Sequence, residues 1–533
     1  MTTTLPRPPS SETEPLLLRD NSSDNNNNNY WCWFVLFAFS LLSFSSALMW
    51  DTFAPCLYIF AEYYFDGNIT TATVNAINAM SLIYMLIYPL AVQPTLRFFE
   101  DDAVAKCPGS GLKRGILIGA SLNMLGGAIR WFGGAQDRYV VLFMGQTVAA
   151  IGTRFLKTWK QQNAISLSFT CCCGFVERKR NDTRVLILLF LAQVFMLSIP
   201  PRLAGTWFRE SQVNISTSIG VSSNNLGVAA GSIWAPLAVH AATMTKDIPR
   251  LLFWQFLLCV LAWALIYIAF SRSPSIINTK YSEGTSSNDT VNNYKTNNDD
   301  DDEEDETTPE EAPAKSSNAY EQAKVLWSHR SFYHLLLSYG IINGGQCALV
   351  TLLAQVLLPS FQDGPSAIDE GYIGWVGFMM LLAGIPASWA VGFYLDRTFQ
   401  YRVTCNALAI LSSLSIAGMY VAIELQYLPA VTFNCIIFGL ASSAIIPAVF
   451  QYASELYYPI DENIPAGYLC TASNLSGVLL AVAMGWTENN KTVFSMRLPV
   501  LGLVLITFIS NISMFRVKGP LKRHGVESAS HVQ

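Results

Sequence analysis

DDDDEEDE, residues Asp299–Glu306, is the densest charge in this 533-residue chain, and it lies within a soluble segment from Arg272 to Trp327. Outward from that segment the sequence turns apolar in both directions. Runs of roughly 20 mostly apolar residues recur, about six before it and about six after it. At 1.5 Å rise per residue, such a run covers about the 30 Å of a bilayer core as helix. The chain is 51% hydrophobic and 13% charged, against roughly 25% charge in an ordinary globular domain. Its mean hydropathy is +0.32. A soluble fold cannot bury so many such runs.

The runs predict an all-α polytopic membrane protein with twelve transmembrane helices in two six-helix halves. The spans are Trp31 to Phe53, Thr71 to Val92, Gly115 to Gly133, a composite fourth starting at Tyr139, Val213 to Val239 and Leu251 to Phe270. They continue with Phe332 to Leu358, Tyr372 to Leu395, Val403 to Glu424, Ala430 to Tyr452, Ala466 to Trp486 and Pro499 to Phe515. Residues 31–271 then form the first half and 328–516 the second, with tails at 1–30 and 517–533. Arg97, Lys106, Lys113 and Arg114 follow the second span, Arg397 and Arg402 the eighth, and Lys518, Lys522 and Arg523 the last. The connections after the first and seventh spans hold no Lys or Arg. The positive-inside rule therefore places both termini and the acidic segment in the cytosol. The sequons at Asn68 and Asn490 fall on the outer side.

Outside the spans, composition predicts disorder. The tail over 1–30 is polar and ends in NNNNN, and the segment over 272–327 is rich in Asn, Ser, Asp and Glu. Neither carries enough apolar area to offset ordering entropy. Within the tail, ETEPLL places Glu12 four residues before the pair Leu16 and Leu17. That fits an acidic dileucine signal read by sorting adaptors, or a bland tail; the membrane is accordingly plasma or endolysosomal. The fourth span is interrupted. Tyr139 to Ile151 is too short to cross, and charged sequence from Lys157 to Arg184 follows before hydrophobicity resumes at Val185. A central charge costs about 2.5 to 3.5 kcal/mol even on insertion scales. Removing about 152–191 joins VVLFMGQTVAAI to AQVFMLSIP as one normal span. The insert is a looped-out elaboration or translated intron sequence, which transcript sequencing across Ile151 and Ala192 distinguishes. Cys171–Cys173 beside ERKR also fits a palmitoylated patch.

Several function classes find no support. The sequence has no nucleotide-binding P-loop, zinc HExxH or GxSxG elbow, so nothing points to an enzyme. The net charge of -5 describes one acidic loop rather than a basic surface, so no nucleic-acid partner is expected. The eleven cysteines lack metal-ligand spacing, and no cofactor is implied. The expected partners are a small-molecule solute and membrane lipid.

The informative residues are polar ones inside spans, where hydrocarbon makes them expensive unless they face a cavity or a partner. Asp51 follows Trp50 near the end of the first span. A carboxylate beside an indole face offers a cation both charge and a cation–π contact worth about 2 kcal/mol. Asp51 could equally bind a proton, or simply begin the next loop. The fifth span carries Asn224 and Asn225, neighbours about 100° apart on a helix, so one faces any cavity. Asn343 and Gln346 share a face of the seventh span, and Asn474 lies in the eleventh. Such amides serve as helix glue or as ligand contacts. GFYLDR, with Gly392, Asp396 and Arg397, ends the eighth span, and Glu455 lies near the same depth in the tenth. Arg397 and Glu455 read as an inter-helix charge cluster or as two solvated end charges.

GFYLDR is similar to the GxxxDR loop signature of the major facilitator superfamily. More specific are SLIYMLIYPL (Ser81–Leu90), PPRLAGTWF (Pro200–Phe208), NNLGVAAG (Asn224–Gly231), TLLAQ (Thr351–Gln355) and ELYYP (Glu455–Pro459). With them the chain resembles the feline leukaemia virus subgroup C receptor-related transporters, solute carrier family 49. The resemblance covers essentially all spans and omits the tails, the acidic segment and the insert. It implies alternating access around a central site between the halves, and solutes such as choline, ethanolamine, pyridoxine or haem. In the choline-type members an aromatic cage and amides hold the quaternary ammonium. Trp50 matches the first-span Trp of that cage, and Asn225 and Asn474 match two Gln positions. The seventh-span Tyr falls on Cys347, and Asp51 departs from the pattern. The implied function is alternating-access transport of a small cationic or amine-containing solute. A haem exporter is the second reading, and a non-transporting receptor or scaffold the third.

Overall fold

The computed structural model describes residues 22–103, 110–150, 200, 203–204, 207–208, 210–271, 319–361, 367–460, 463–488 and 494–520. The dileucine pattern with Glu12, Leu16 and Leu17, the insert at 152–191, the acidic run and Asn490 lie outside these residues.

Apolar length dictates helix, because a backbone in hydrocarbon must satisfy its own polar groups. The first half contains α1 (Ser22–Asp51), α2 (Leu57–Tyr64), α3 (Thr71–Ala103), α4 (Ser110–Phe132), α5 (Tyr139–Ala150), α6 (Glu210–Ala238) and α7 (Met244–Ala269). The second contains α8 (Ala319–Ser328), α9 (Arg330–Leu357), α10 (Glu370–Thr398), α11 (Tyr401–Glu424), α12 (Leu428–Leu456), α13 (Asn463–Trp486) and α14 (Arg497–Arg516). Among the described residues ten helices are long and apolar enough to cross a membrane. The ten exclude α5, which covers the short fourth span, and α6, which carries the Ser/Asn-rich fifth. Chain direction alternates, so the place where α1 finishes also collects the ends of α4, α6, α9 and α13 and the starts of α3 and α10. It is called the Asp51 end below.

Three local features differ from the sequence expectation. The first helix begins at Ser22, so the Asn run of the supposedly disordered tail is helical; a nucleated apolar span extends outward one residue at a time at little cost. The segment expected to be disordered over 272–327 ends in helix α8. There Leu326 is fully buried, and Trp327 meets Phe332 edge-on at 5.6 Å and Tyr468 at 5.2 Å. An amphipathic face with a place to pack overrides polar composition. Finally, α2 fills the connection after the first span, with Leu57 and Phe60 fully buried. Asn68, just beyond it, is exposed.

Inside each half, α1 packs on α6 and α7, and α4 on α5 and α7. In the second half α9 packs on α13 and α14, α10 on α12, and α11 on α12 and α14. Lipid tails are as apolar as leucine, so close packing and internal hydrogen bonds must hold these helices together. Glycines supply the approach. A Cβ at Gly227 of α6 would strike the Phe44 carbonyl of α1, and one at Gly439 of α12 would strike the Met380 carbonyl of α10. Between the halves, α6 meets α10 and α3 meets α13.

Candidate functional site

Trp50 and Asp51 occupy the last turn of α1. The indole is half-buried; its Nε1 donates to the Ser81 carbonyl of α3 at 3.0 Å, and Ser81 Oγ donates back to the Trp50 carbonyl at 3.2 Å. This reciprocal pair fixes the ring, which packs beside the buried apolar residues of the α1–α3 contact. Asp51 is 1% exposed, so it is no solvated loop residue. Its Oδ2 accepts a short hydrogen bond from Ser232 of α6, and its Oδ1 has no partner among the described residues. No basic group lies within ion-pair distance of it among those residues. Across the interface, the Cys347 thiol of α9 is within electrostatic range of Asp51 and of Cys470 in α13.

In α4 lies a buried cation that the span reading did not single out. Arg130 of α4 is 1% exposed; its Nη2 donates to Gln255 of α7 at 3.1 Å, and its guanidinium stands 5.0 Å from the Phe53 ring centroid. Gln255 in turn donates to Thr52 at 3.0 Å. Nε and Nη1 of Arg130 have no partner among the described residues. Gln146 of α5 ties the Met49 and Met80 carbonyls together at 3.2 and 3.1 Å. A charge within an apolar run was legible for Arg130. Gln146 and Ser232 carried no such signal, since polar residues of that kind are ordinary helix glue.

The expected amides separate into two groups. Asn225 is half-buried and makes no hydrogen bond among the described residues. Asn343 donates to Ser473 of α13 at 2.7 Å and to Tyr339 at 3.4 Å, and Gln346 donates to Ser443 of α12 at 3.2 Å. Asn474 donates to the Cys470 carbonyl of its own helix at 2.9 Å. In this conformation Asn343 and Gln346 join helices of one half.

At the other end Arg397 is exposed in the last turn of α10, where a cation complements the helix dipole. Glu455 is buried, its Oε2 without a partner among the described residues. Among the described residues the two form no ion pair, so the charge-cluster reading of that end finds no support in this conformation. Asp396 is helical, and a Cβ at Gly392 would meet nothing within 4 Å.

A hydrogen-bonded latch bridges the halves toward the Asp51 end. Asn78 of α3 donates to Gln355 of α9 at 2.8 Å across the halves, both side chains buried. Gln355 donates onward to Glu488 at 3.3 Å. Burial pushes the Glu488 carboxyl above the usual carboxylate range, with a hydrogen bond from Ser495 pulling the other way. Gln355→Ala would strand the Asn78 amide in the closed state, a loss of about 1–3 kcal/mol. The expected result is a shift of roughly 5- to 150-fold toward opening at this end. Accessibility of a cysteine placed beside Asn78 reads it, and unchanged labelling would show the latch to be idle.

Residues 163–481 match the family model of the Major Facilitator Superfamily. The chain belongs to that superfamily. This member is therefore a multi-pass membrane transporter. It is 24% identical over 485 residues to an uncharacterized MFS-type transporter of Caenorhabditis elegans, covering 90% of this chain and 69% of that protein. It is 24% identical over 498 residues to the choline/ethanolamine transporter FLVCR1 of Felis catus, covering 92% and 73%. The human choline/ethanolamine transporter FLVCR2 is 22% identical over 486 residues, covering 90% and 77%. These relatives agree with the family resemblance read from the motifs. Among solved structures, a D-xylose-proton symporter superposes with TM-score 0.60 at 9% identity, covering 92% of this chain and 99% of that one. The nucleoside transporter NupG superposes with TM-score 0.57 at 10% identity, covering 91% and 99%. The superfamily member thus shares their fold.

Proposed function

We propose that this chain moves a small protonated amine by alternating access, with the Trp50 face and the Asp51 carboxylate recognising the cation. The carrying observation is the pair itself. Trp50 is half-buried and held by Ser81, and among the described residues the adjacent buried carboxylate has one oxygen unpartnered and no basic group at ion-pair distance. A buried, uncompensated carboxylate is costly and favours any state in which a positive charge reaches it. The relatives named for choline and ethanolamine support an amine solute. By the family resemblance Cys347 takes the position of an aromatic residue of the choline-type cage, which favours a primary amine or protonated heterocycle over a quaternary ammonium.

Lys and Arg distribution places the Asp51 end outside the cytosol, so the latch of Asn78 and Gln355 closes the outer or luminal side. Asn225 is read as a further solute contact, with Asn343, Gln346 and Asn474 turning toward the solute in another conformation. The haem reading finds less support: His240 follows α6 at the Asp51 end, while His334 starts α9 at the other, bonded to Ser513 at 3.0 Å. Uptake of a labelled panel of ethanolamine, choline and pyridoxine-like amines into vesicles tests the proposal. Saturable uptake of the primary amine with weaker competition by choline supports it; no uptake of any amine rejects it.

A further inference from the structure

We propose that Ser232 relays the charge on Asp51 to the contact between the halves, so that neutralising Asp51 loosens closure at the Asp51 end. A serine hydroxyl has one proton to give. Two acceptors compete for that of Ser232: Asp51 Oδ2, and the Val228 carbonyl one turn back at 3.2 Å. While Asp51 is ionised it can only accept, and it holds the hydroxyl across to α1. Once Asp51 carries a proton, or an ammonium donates to it, the carboxyl no longer needs that bond, and the hydroxyl turns to Val228.

The same side chain touches the other half. A Cβ at Gly377 of α10 would lie 3.2 Å from Ser232 Cβ and 3.3 Å from its Oγ, and Gly374 lies against the Ser232 carbonyl and Pro236. Glycines at both positions leave the serine as the group that fills this contact. Losing the tether to Asp51 frees the Ser232 side chain to leave the rotamer against which Gly377 of α10 packs. The two arrangements meet the requirement that a coupling element have discrete states which the ligand binds unequally.

Other ionisable groups toward this end of the helices include Arg130, Cys347, Glu370 and Glu488. Arg130 of α4 is engaged by Gln255 of α7 and stacked on Phe53, with the Tyr84 hydroxyl of α3 within its range. Cys347 approaches from α9, and Glu370 in the first turn of α10 faces Cys56. Glu488 titrates separately at the latch, so the tests below use Glu488→Gln as the background.

Hydrogen exchange over Gly371–Gly377 of α10 in the purified full-length protein reads the contact without any solute. In that background Ser232→Ala and Asp51→Asn are each expected to raise exchange several-fold, and the double variant no further than the larger single effect. Lowering pH from about 8 to about 5.5, with intrinsic exchange rates corrected, should deprotect the segment when Ser232 is present. Ser232→Ala should abolish that response, and Ser232→Cys, nearly isosteric with a weak donor, should keep a reduced one. Ethanolamine at constant pH 8 distinguishes the ammonium from the proton as the neutralising charge. Additive single effects, or a pH response preserved in Ser232→Ala, overturn the relay. The source of the ammonium rests on the amine reading above. If no amine is transported while the pH arm behaves as expected, that reading fails and the relay stands.

Discussion

Asp51→Asn is expected to leave the protein in the membrane and to erase its preference for a primary amine over choline, by at least tenfold in relative uptake. Tenfold corresponds to about 1.4 kcal/mol, modest for a carboxylate that is 1% exposed and has no basic group at ion-pair distance among the described residues. Asparagine nearly matches the carboxylate in volume and removes the charge that holds the Ser232 hydroxyl, so the protein is expected to fold while its electrostatics change. Any pH dependence carried by Asp51 should disappear in the same variant. Competition assays with ethanolamine and choline at two pH values check both statements. Unchanged selectivity together with unchanged pH response would reduce Asp51 to a packing residue at the end of its helix.

Trp50→Ala is expected to lower saturable uptake at least tenfold, again about 1.4 kcal/mol and within the range of a desolvated cation–π contact. Trp50→Phe should lose less, since it keeps a π face while giving up the bond to the Ser81 carbonyl. The two variants separate recognition from folding. Equal loss of surface expression in both would assign Trp50 to the α1–α3 contact instead.

The ten long apolar helices among the described residues were legible because bilayer thickness imposes a length that apolar runs must meet. Helix ends were less so. The Asn run before Tyr30 and the stretch Ala319–Ser328 read as polar coil by composition, yet one continues a nucleated helix and the other buries Leu326. For the candidate site, Trp50 and Asp51 stood out because an acid beside an indole in an apolar run is expensive. What adjacency in sequence cannot supply is the partner 181 residues away, Ser232, or the pairing of Asn78 with Gln355 across 277 residues. Both depend on how the helices assemble. Asn343 and Gln346 shared a face as their spacing implied, but only the neighbouring helices reveal that this face meets Ser473 and Ser443.

The glycine contacts inside each half bear on how inherited variants of such a chain would present. At Gly227 and Gly439 any side chain collides with a neighbouring backbone carbonyl, and backbone cannot step aside as a flexible side chain can. Missense changes there should be caught during biogenesis and degraded before reaching their membrane, and a ligand or low temperature that favours assembly could recover some of the protein. Changes at Trp50 or Asp51 should yield a normally delivered carrier with an altered cargo, which no folding aid would correct. Two carriers of different alleles could therefore show the same transport deficit and need opposite remedies, and the amount of protein at the membrane would tell them apart.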